Sequence, residues 1–155
     1  MSPQEVIKER FPGVCEEEDC KDLTFRIDKG ILLEFMDFLY KKLSFEFLTD
    51  ICGTDYPKRE KRFDVVYHLY SIEHNHRICV KTSVSENEDV ESVSSIWKGA
   101  NWHEREVFDL FGIRFLNHPD LKRILLPDEW EGHPLRKDYP LEIANFEYEV
   151  SRSQL

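Results

Sequence analysis

Hydrophobic positions recur with two distinct periods along the first half of the chain. Residues spaced by three and four predict one apolar face of a helix, and they are Leu32, Phe35, Met36, Leu39 and Leu43. Apolar residues that alternate with polar ones predict half-buried strands, and such runs occupy residues 23–27, 45–51, 63–69 and 78–84. The last two runs are joined by Glu73-His74-Asn75-His76, which is typical of a hairpin connection.

Helix start and stop signals complete this pattern. Ser2-Pro3-Gln4-Glu5 predicts a capping box at the start of a first helix, which ends before Phe11-Pro12-Gly13. Asp28 is the predicted cap of the helix that carries the apolar stripe. Two further helices are predicted, one from about Val90 to Lys98-Gly99 and one from Asn101 to Gly112.

Helices and strands in this order favour an α+β fold. Residues 15–20 and 86–89 are expected to form acidic loops between the elements. We therefore predict a two-layer domain over residues 1–112, with a mixed β-sheet and helices on one face.

The periodic pattern ends at Gly112. Residues 113–142, which we call the strap, are interrupted by Pro119, Pro127, Pro134 and Pro140. They also carry Ile124, Leu125, Leu126, Trp130, Leu135 and Tyr139, more apolar surface than so small a sheet is expected to cover. Charged residues alternate with these apolar ones, which is typical of an extended partner-docking segment. The alternative is a long loop that wraps its own domain, and residues 143–155 are expected to form a flexible tail.

Composition narrows the classes of partner. The chain of 155 residues has a formal net charge of −10, which disfavours nucleic acids as partners. No apolar run approaches the ~20 residues of a membrane-spanning helix, and no signal peptide or presequence is expected at the N-terminus. The four cysteines are expected to be reduced thiols, with Cys52 and Cys79 in strands as small buried side chains.

The densest polar cluster is His103-Glu104-Arg105-Glu106, followed by Asp109. Glu104 lies near the middle of an apolar helix face, whereas Arg105, Glu106 and Asp109 are predicted to point away from that face. A buried carboxylate needs a partner. The spacing Asn101-x-x-Glu104 predicts a capping box. The alternative is an ion pair of Glu104 with Arg114, Arg123 or a residue of another protein.

Histidines offer only a weak catalytic hypothesis. His103-Glu104 begins like a zinc-protease motif, but position 107 is Val, so the second histidine ligand is missing. A stand-alone metal-dependent enzyme would have to use His103, Glu104, His118 and His133. The chain carries neither a nucleophile-elbow motif nor a glycine-rich phosphate loop, so no self-contained active site is expected.

The stretch from Trp97 to Leu141 resembles the signature region of the 30 kDa-type subunit (the C-type subunit) of proton-translocating NADH:quinone oxidoreductase, respiratory complex I. The motifs that carry this resemblance are Gly99-Ala100-Asn101-Trp102, Glu104-Arg105-Glu106, Asp109-Leu110-Phe111-Gly112-Ile113, His118-Pro119-Asp120-Leu121, Arg123-Ile124-Leu125 and Trp130-Glu131-Gly132-His133-Pro134-Leu135-Arg136-Lys137-Asp138-Tyr139-Pro140-Leu141. Asp55-Tyr56-Pro57, Arg62-Phe63 and Val66-Tyr67-His68-Leu69 fit the same family, so the resemblance covers about residues 20–142.

The resemblance implies a non-catalytic subunit of the peripheral arm, on the cytoplasmic side of the bacterial inner membrane (the matrix side in mitochondria). Complex I transfers electrons from NADH through FMN and iron–sulfur clusters to quinone and couples this transfer to proton translocation. The resemblance places FMN and the clusters in partner subunits and no cofactor in this chain. It implies that the chain docks on the quinone-site subunit (the D-type subunit), which resembles the large subunit of nickel–iron hydrogenases.

The predicted docking residues follow from the strap and the motif that precedes it: Glu104, Arg105, Glu106, Asp109, Arg123, Trp130, Arg136, Lys137, Asp138 and Tyr139. A second hypothesis keeps the structural role and changes the enzyme. In that case the chain would be the equivalent subunit of a membrane-bound nickel–iron hydrogenase or a related oxidoreductase.

Overall fold

The computed structural model describes residues 2–18 and 20–141. Its elements in chain order are helix α1 (Pro3–Arg10), strands β1 (Cys15–Glu17) and β2 (Leu23–Ile27), helix α2 (Leu32–Leu43), strands β3 (Phe47–Asp55), β4 (Phe63–Ser71), β5 (His76–Val84) and β6 (Val90–Glu91), helix α3 (Ala100–Phe111) and strand β7 (Phe115–Leu116). The predicted tail, residues 143–155, lies outside the described residues, and the domain boundary at residue 112 stays a prediction.

Five strands form one mixed sheet in the order β1-β2-β5-β4-β3. Strands β2 and β5 run parallel, whereas every other neighbouring pair in this sheet is antiparallel. The short strands β6 and β7 form a separate parallel pair. The predicted α+β class with a mixed sheet is therefore confirmed.

One face of the sheet carries the core and both long helices. Phe25, Val80, Tyr67 and Ile51 stand in register across four strands, and all four are buried. Helix α2 covers this row, because its Phe35 ring meets Phe25 edge-on with 6.3 Å between the centroids. The predicted stripe of α2 is confirmed, since its first four members are fully buried: Leu32, Phe35, Met36 and Leu39.

A glycine lets helix α3 approach the same face. Gly53 lies in β3, and a Cβ atom there would come within 2.6 Å of the Phe111 ring at the end of α3. A larger residue at this position would push the helix away from the strand. Helix α3 then ends at Gly112, whose φ of 75° is the left-handed conformation expected of a glycine after a helix.

The predicted capping box of α1 is confirmed, whereas α2 itself starts without a side-chain cap. The Ser2 hydroxyl accepts the Glu5 N–H at 3.3 Å, and the Glu5 carboxylate accepts the Ser2 N–H at 2.8 Å. Asp28 accepts the N–H of Gly30 at 2.8 Å and caps a single 3-10 turn that leads into α2.

Three predictions of local structure are wrong. Cys15–Glu17 is an edge strand paired with β2 instead of part of a loop. The helix expected after Val90 is absent, because Val90–Glu91 pairs with β7 and turns follow. Phe47, placed in one alternating row with Phe45, is 52% exposed, because the register of β3 shifts between Leu48 and Asp50.

Candidate functional site

Asp109 holds the first part of the strap through its buried carboxylate. Its Oδ2 atom accepts the backbone N–H groups of Ile124, Leu125 and Leu126 at 3.1, 2.8 and 2.9 Å, and its Oδ1 atom accepts Nη1 of Arg123 at 2.9 Å. Burial raises the pKa of Asp109, but these four donors outweigh burial and the pKa is lowered overall. Asp109 does not point into solvent from the helix, because the strap covers that side of α3.

Two arginines tie the strap to itself and to the domain. Arg123 donates to the carbonyls of Trp130 and Gly132 at 2.9 and 3.2 Å. Arg105 donates to the carbonyls of Lys122 and Arg123 at 3.0 Å each. Both guanidinium groups thus bind backbone oxygens, which fixes the path of a segment that has no regular secondary structure there.

Helix α3 ends under the second part of the strap. Arg136 donates from Nε to the carbonyl of Phe111 at 2.6 Å and from Nη1 to Glu86 at 2.8 Å. The ring of His133 donates to the Asp109 carbonyl at 2.8 Å. A Cβ atom at Gly112 would lie 2.6 Å from both side chains, Arg136 and His133, so glycine is required here for close approach as well as for its φ.

The last anchor of the strap is Asp55 at the end of β3. Asp55 is fully buried at its side chain and binds Arg62 through two contacts of 2.8 Å. It also accepts the N–H of Lys137 at 2.7 Å, while Arg62 reaches Asp138 at 3.0 Å. Arg62 is the main reason that the pKa of Asp55 is lowered. This cluster fastens residues 137–138 to the sheet.

Several large apolar side chains stay exposed on this region. Trp102, on the first turn of α3, is 61% exposed and lies under the Arg105 guanidinium, 5.1 Å from ring centroid to carbon. The others lie on the strap and are Leu116, Leu125, Leu135 and Leu141. None of these five side chains was among the predicted docking residues, and nothing in the apolar pattern tells Leu125 from its half-buried neighbours Ile124 and Leu126.

Glu104 is buried, but it forms neither the predicted capping box with Asn101 nor an ion pair with Arg114 or Arg123. Its carboxylate accepts the Ser92 hydroxyl at 2.6 Å and the Val93 N–H at 2.7 Å, so it binds the loop after β6 instead of Asn101. Arg114 pairs with Asp89, and Arg123 pairs with Asp109. Burial raises the pKa of Glu104 to about 7, although the two hydrogen bonds oppose this rise.

The predicted docking residues fall into three groups. The first group makes the internal contacts described above and consists of Glu104, Asp109, Arg123 and Arg136. Arg105 belongs to it as well, because it binds the carbonyls of Lys122 and Arg123. Trp130 and Tyr139 are half-buried, while the exposed members are Glu106, Lys137 and Asp138. Whether any of these residues contacts a partner stays a prediction.

The histidines of the metal hypothesis have separate surroundings. Nδ1 of His103 lies 3.2 Å from Asp50, and Nε2 of His118 lies 3.0 Å from the Asn101 carbonyl and 3.8 Å from Glu104. Within residues 2–18 and 20–141, no group of three or more His, Cys, Asp or Glu side chains could hold a metal ion. All four cysteines are free. Cys79 is buried as predicted, whereas Cys52 is only half-buried.

In the part of the chain that the structure describes, no helix combines the length and the apolar character needed to cross a membrane.

Relatives of known identity match most of this chain. The C-type subunit of NADH-quinone oxidoreductase from Roseiflexus castenholzii is 59% identical over 123 residues, which cover 77% of this chain and 71% of that protein. The corresponding subunit of Citrifermentans bemidjiense is 45% identical over 141 residues, 88% of this chain and 86% of its own length. The match with the same subunit of Hyphomonas neptunium, at 48% identity, spans only 60% of that relative.

A solved structure shares the fold. It comes from the membrane-bound sulfane sulfur reductase, an archaeal respiratory membrane complex, and a chain in it superposes with a TM-score of 0.78 at 26% identity. The superposition covers 89% of this chain and 84% of that one. Residues 25–145 match the family described as "Respiratory-chain NADH dehydrogenase, 30 Kd subunit". The chain therefore belongs to this family, the 30 kDa-type subunits of complex I.

Proposed function

We propose that the chain is a docking subunit of the peripheral arm of NADH:quinone oxidoreductase and binds the quinone-site subunit through α3 and the strap. The complex would carry electrons from NADH through FMN and iron–sulfur clusters to quinone, coupled to proton translocation. This chain would supply no catalytic residue and no cofactor. Its place would be peripheral, on the cytoplasmic side of the inner membrane.

The observation that carries this proposal is the way the strap is held. Buried polar groups, above all Asp109, bind the strap through its backbone, and the side chains of Leu125 and Leu135 stay exposed. A segment ordered in this way loses little conformational freedom when a partner covers it. Large apolar side chains on such a segment are typical anchors of a protein interface.

Exposed polar residues supply the surroundings that an interface needs. Glu106 on α3 and Lys137 on the strap are exposed, and Arg105 lies over the exposed face of Trp102. A charged rim around apolar anchors gives an interface its specificity. The surface formed by α3 and the strap therefore combines apolar anchors with a charged rim, as contacts between subunits do.

One structural comparison supports a second candidate function, in a different respiratory complex. The structural match with the archaeal sulfane sulfur reductase complex means that the same fold occurs in a different respiratory complex. The chain could serve as the equivalent subunit of that class or of a membrane-bound nickel–iron hydrogenase. Identities of 45–59% with subunits of NADH-quinone oxidoreductases favour the NADH:quinone oxidoreductase. Co-purification of an NADH-binding flavoprotein would distinguish the two classes.

The test replaces exposed strap leucines in the tagged chain and measures the complex recovered from membranes. Leu125→Glu and Leu135→Glu are expected to reduce the co-purified quinone-site subunit at least fivefold, with a matching loss of NADH:quinone reductase activity. Ile72→Glu is the control, because Ile72 is 64% exposed on the turn between β4 and β5. It should leave recovery unchanged.

Two results would contradict the proposal. One is normal recovery of the quinone-site subunit with both strap variants, measured at equal expression. The other is a normal complex and normal activity after deletion of residues 130–141. Stoichiometric zinc or iron in the purified chain would instead revive the metal-dependent enzyme.

A further inference from the structure

Strand β3 has a free edge. It pairs with β4 on one side and with no strand of the described sheet on the other. Helix α3 lies along β3 and closes against Gly53 through Phe111. The segment of β3 from Asp50 to Gly53 borders a cleft, which α3 lines on the other side. Backbone groups at such an edge are able to pair with a strand from another chain.

The cleft is apolar inside and small. Its volume is about 170 Å³, and its lining includes Val107, Leu110, Phe111 and Leu135. An apolar cavity of about 150 Å³ accommodates a benzene ring, so one large apolar side chain fits here. Leu135, 51% exposed, is held at this position by the hydrogen bond of its N–H with the Leu110 carbonyl at 3.1 Å. The strap therefore forms one wall of the cleft.

The polar part of the lining is acidic. Asp50 and Glu106 are its charged residues, and neither Lys nor Arg belongs to the lining. The thiol of Cys52 donates to Asp50 at 3.0 Å. Burial raises the pKa of Cys52 to about 12, and the charges of Asp50 and Glu106 add to this rise. Two carboxylates thus line the cleft, and Nδ1 of His103 lies 3.2 Å from one of them, Asp50.

We infer that this cleft binds an extended segment of the partner subunit, which adds a strand to β3 and inserts one apolar side chain beside a Lys or Arg. This inference rests on the proposed function and names the contact that it makes. A free strand edge gives main-chain hydrogen bonds, and a pocket next to it selects one side chain. The acidic pair selects a basic neighbour for that side chain and disfavours an acidic one.

A helix from the partner fits these observations less well. A helix brings no free backbone groups to a strand edge and presents anchors at several positions along a groove. Here the apolar space holds only one side chain. An extended basic–apolar segment uses the edge, the cleft and the charge together.

Photo-crosslinking in the intact complex tests the inference. p-Benzoylphenylalanine replaces exposed Glu106 in the tagged chain, and a second sample carries it at Leu125 on the strap. After irradiation, crosslinked peptides are identified by mass spectrometry. We expect the probe at position 106 to crosslink to another subunit, at a segment where Lys or Arg lies within two residues of Leu, Ile, Phe or Met.

A charge variant adds an independent readout. Glu106→Lys is expected to lower recovery of the partner subunit at least threefold at low salt, and Glu106→Gln should have a smaller effect. Glu9→Lys on α1 is the control, because Glu9 is exposed and has the same charge. Equal recovery of Glu106→Lys and Glu9→Lys would overturn the inference.

The two probes separate the inference from the proposed function. Suppose that position 125 crosslinks to the quinone-site subunit. The inference is then wrong, and the docking function stands, if position 106 gives no crosslink or crosslinks only within this chain. The same conclusion follows if position 106 crosslinks to an acidic segment or to a helix of the partner. If neither probe crosslinks and no other subunit co-purifies, the docking function itself is wrong.

Discussion

The sheet-and-helix core and the strap are stabilised in different ways. In the core, apolar side chains such as Phe35, Phe25 and Tyr67 are fully buried and pack across the layer between α2 and the sheet. In the strap, single polar side chains bind backbone groups, with Asp109 and Arg136 at the two main contacts. Ile113 and Phe115, at the start of the strap, still belong to the buried core. Beyond them, contacts of polar side chains with backbone groups hold the strap, so its exposed leucines remain available for a partner.

Phe35→Ala should have the largest effect on stability, because it removes a fully buried ring that touches Phe25 and Phe11. Loss of such a ring from a core costs about 3–5 kcal/mol in the free energy of unfolding. Urea denaturation followed by far-UV circular dichroism measures it. Leu33→Ala, at a 38% exposed position on the same helix, should cost about 1 kcal/mol or less. Equal losses would contradict the assignment of the core face.

Asp109→Ala should destabilise the chain by about 3 kcal/mol, because it leaves three backbone N–H groups and Nη1 of Arg123 without their acceptor. Unlike the core variant, it should act locally. Hydrogen exchange of the amides at 124–126 should accelerate far more than exchange in β4. Asp128→Ala, at an exposed strap position, is the control. Uniform acceleration across the sheet would show that core and strap are one cooperative unit.

The core could be predicted from sequence because its apolar residues recur at regular spacing along each strand and helix. The side chains that belong to the core recur every two residues in β4 and every three or four in α2, so both elements are visible in a single sequence. The errors fall where this periodicity breaks. The bulge at Leu48/Asp50 moves Phe47 to the exposed side without any change in residue type. After Val90, residues at helical spacing pack into the core from turns instead of a helix.

The strap contacts could not be predicted, because their partners are distant and aperiodic. Asp109 faces residues 124–126, and Glu104 faces Ser92 and Val93. A carboxylate that binds backbone N–H groups leaves no trace in the sequence of the segment it binds, since every residue except proline has that donor. The family resemblance marked this region as important, but it did not say which residues act inside the chain and which stay exposed.

Glu104→Gln should change the pH dependence of stability. The pKa of buried Glu104 is raised from 4.5 to about 7, so the folded state binds this proton more tightly than the unfolded chain. The resulting stabilisation is fully present below pH 4.5 and is lost as the pH rises through 7. The whole loss is about 3 kcal/mol, and glutamine, which does not titrate, should abolish it.

Urea denaturation between pH 5 and 8 measures this effect as the difference between wild type and variant. Taking the difference cancels the opposite slope of His133, whose lowered pKa favours the folded state at higher pH. Glu106→Gln, on the exposed side of the same helix, should keep the wild-type slope. Parallel profiles for wild type and Glu104→Gln would mean that Glu104 is ionised throughout this range.

Arg136→Ala should have the smallest effect on the free energy of unfolding, about 1–2 kcal/mol, because it removes charged hydrogen bonds from the Phe111 carbonyl and an exposed Glu86. Its local effect should be larger, since the end of the strap loses its contacts with Phe111 and Glu86 and keeps those with Asp55, Arg62 and the Leu110 carbonyl. Limited proteolysis should cut after Lys137 at least tenfold faster. Arg77→Ala, at an exposed β5 position, should leave this rate unchanged. If cleavage is unchanged while partner binding falls, Arg136 acts at the interface itself instead of through the strap.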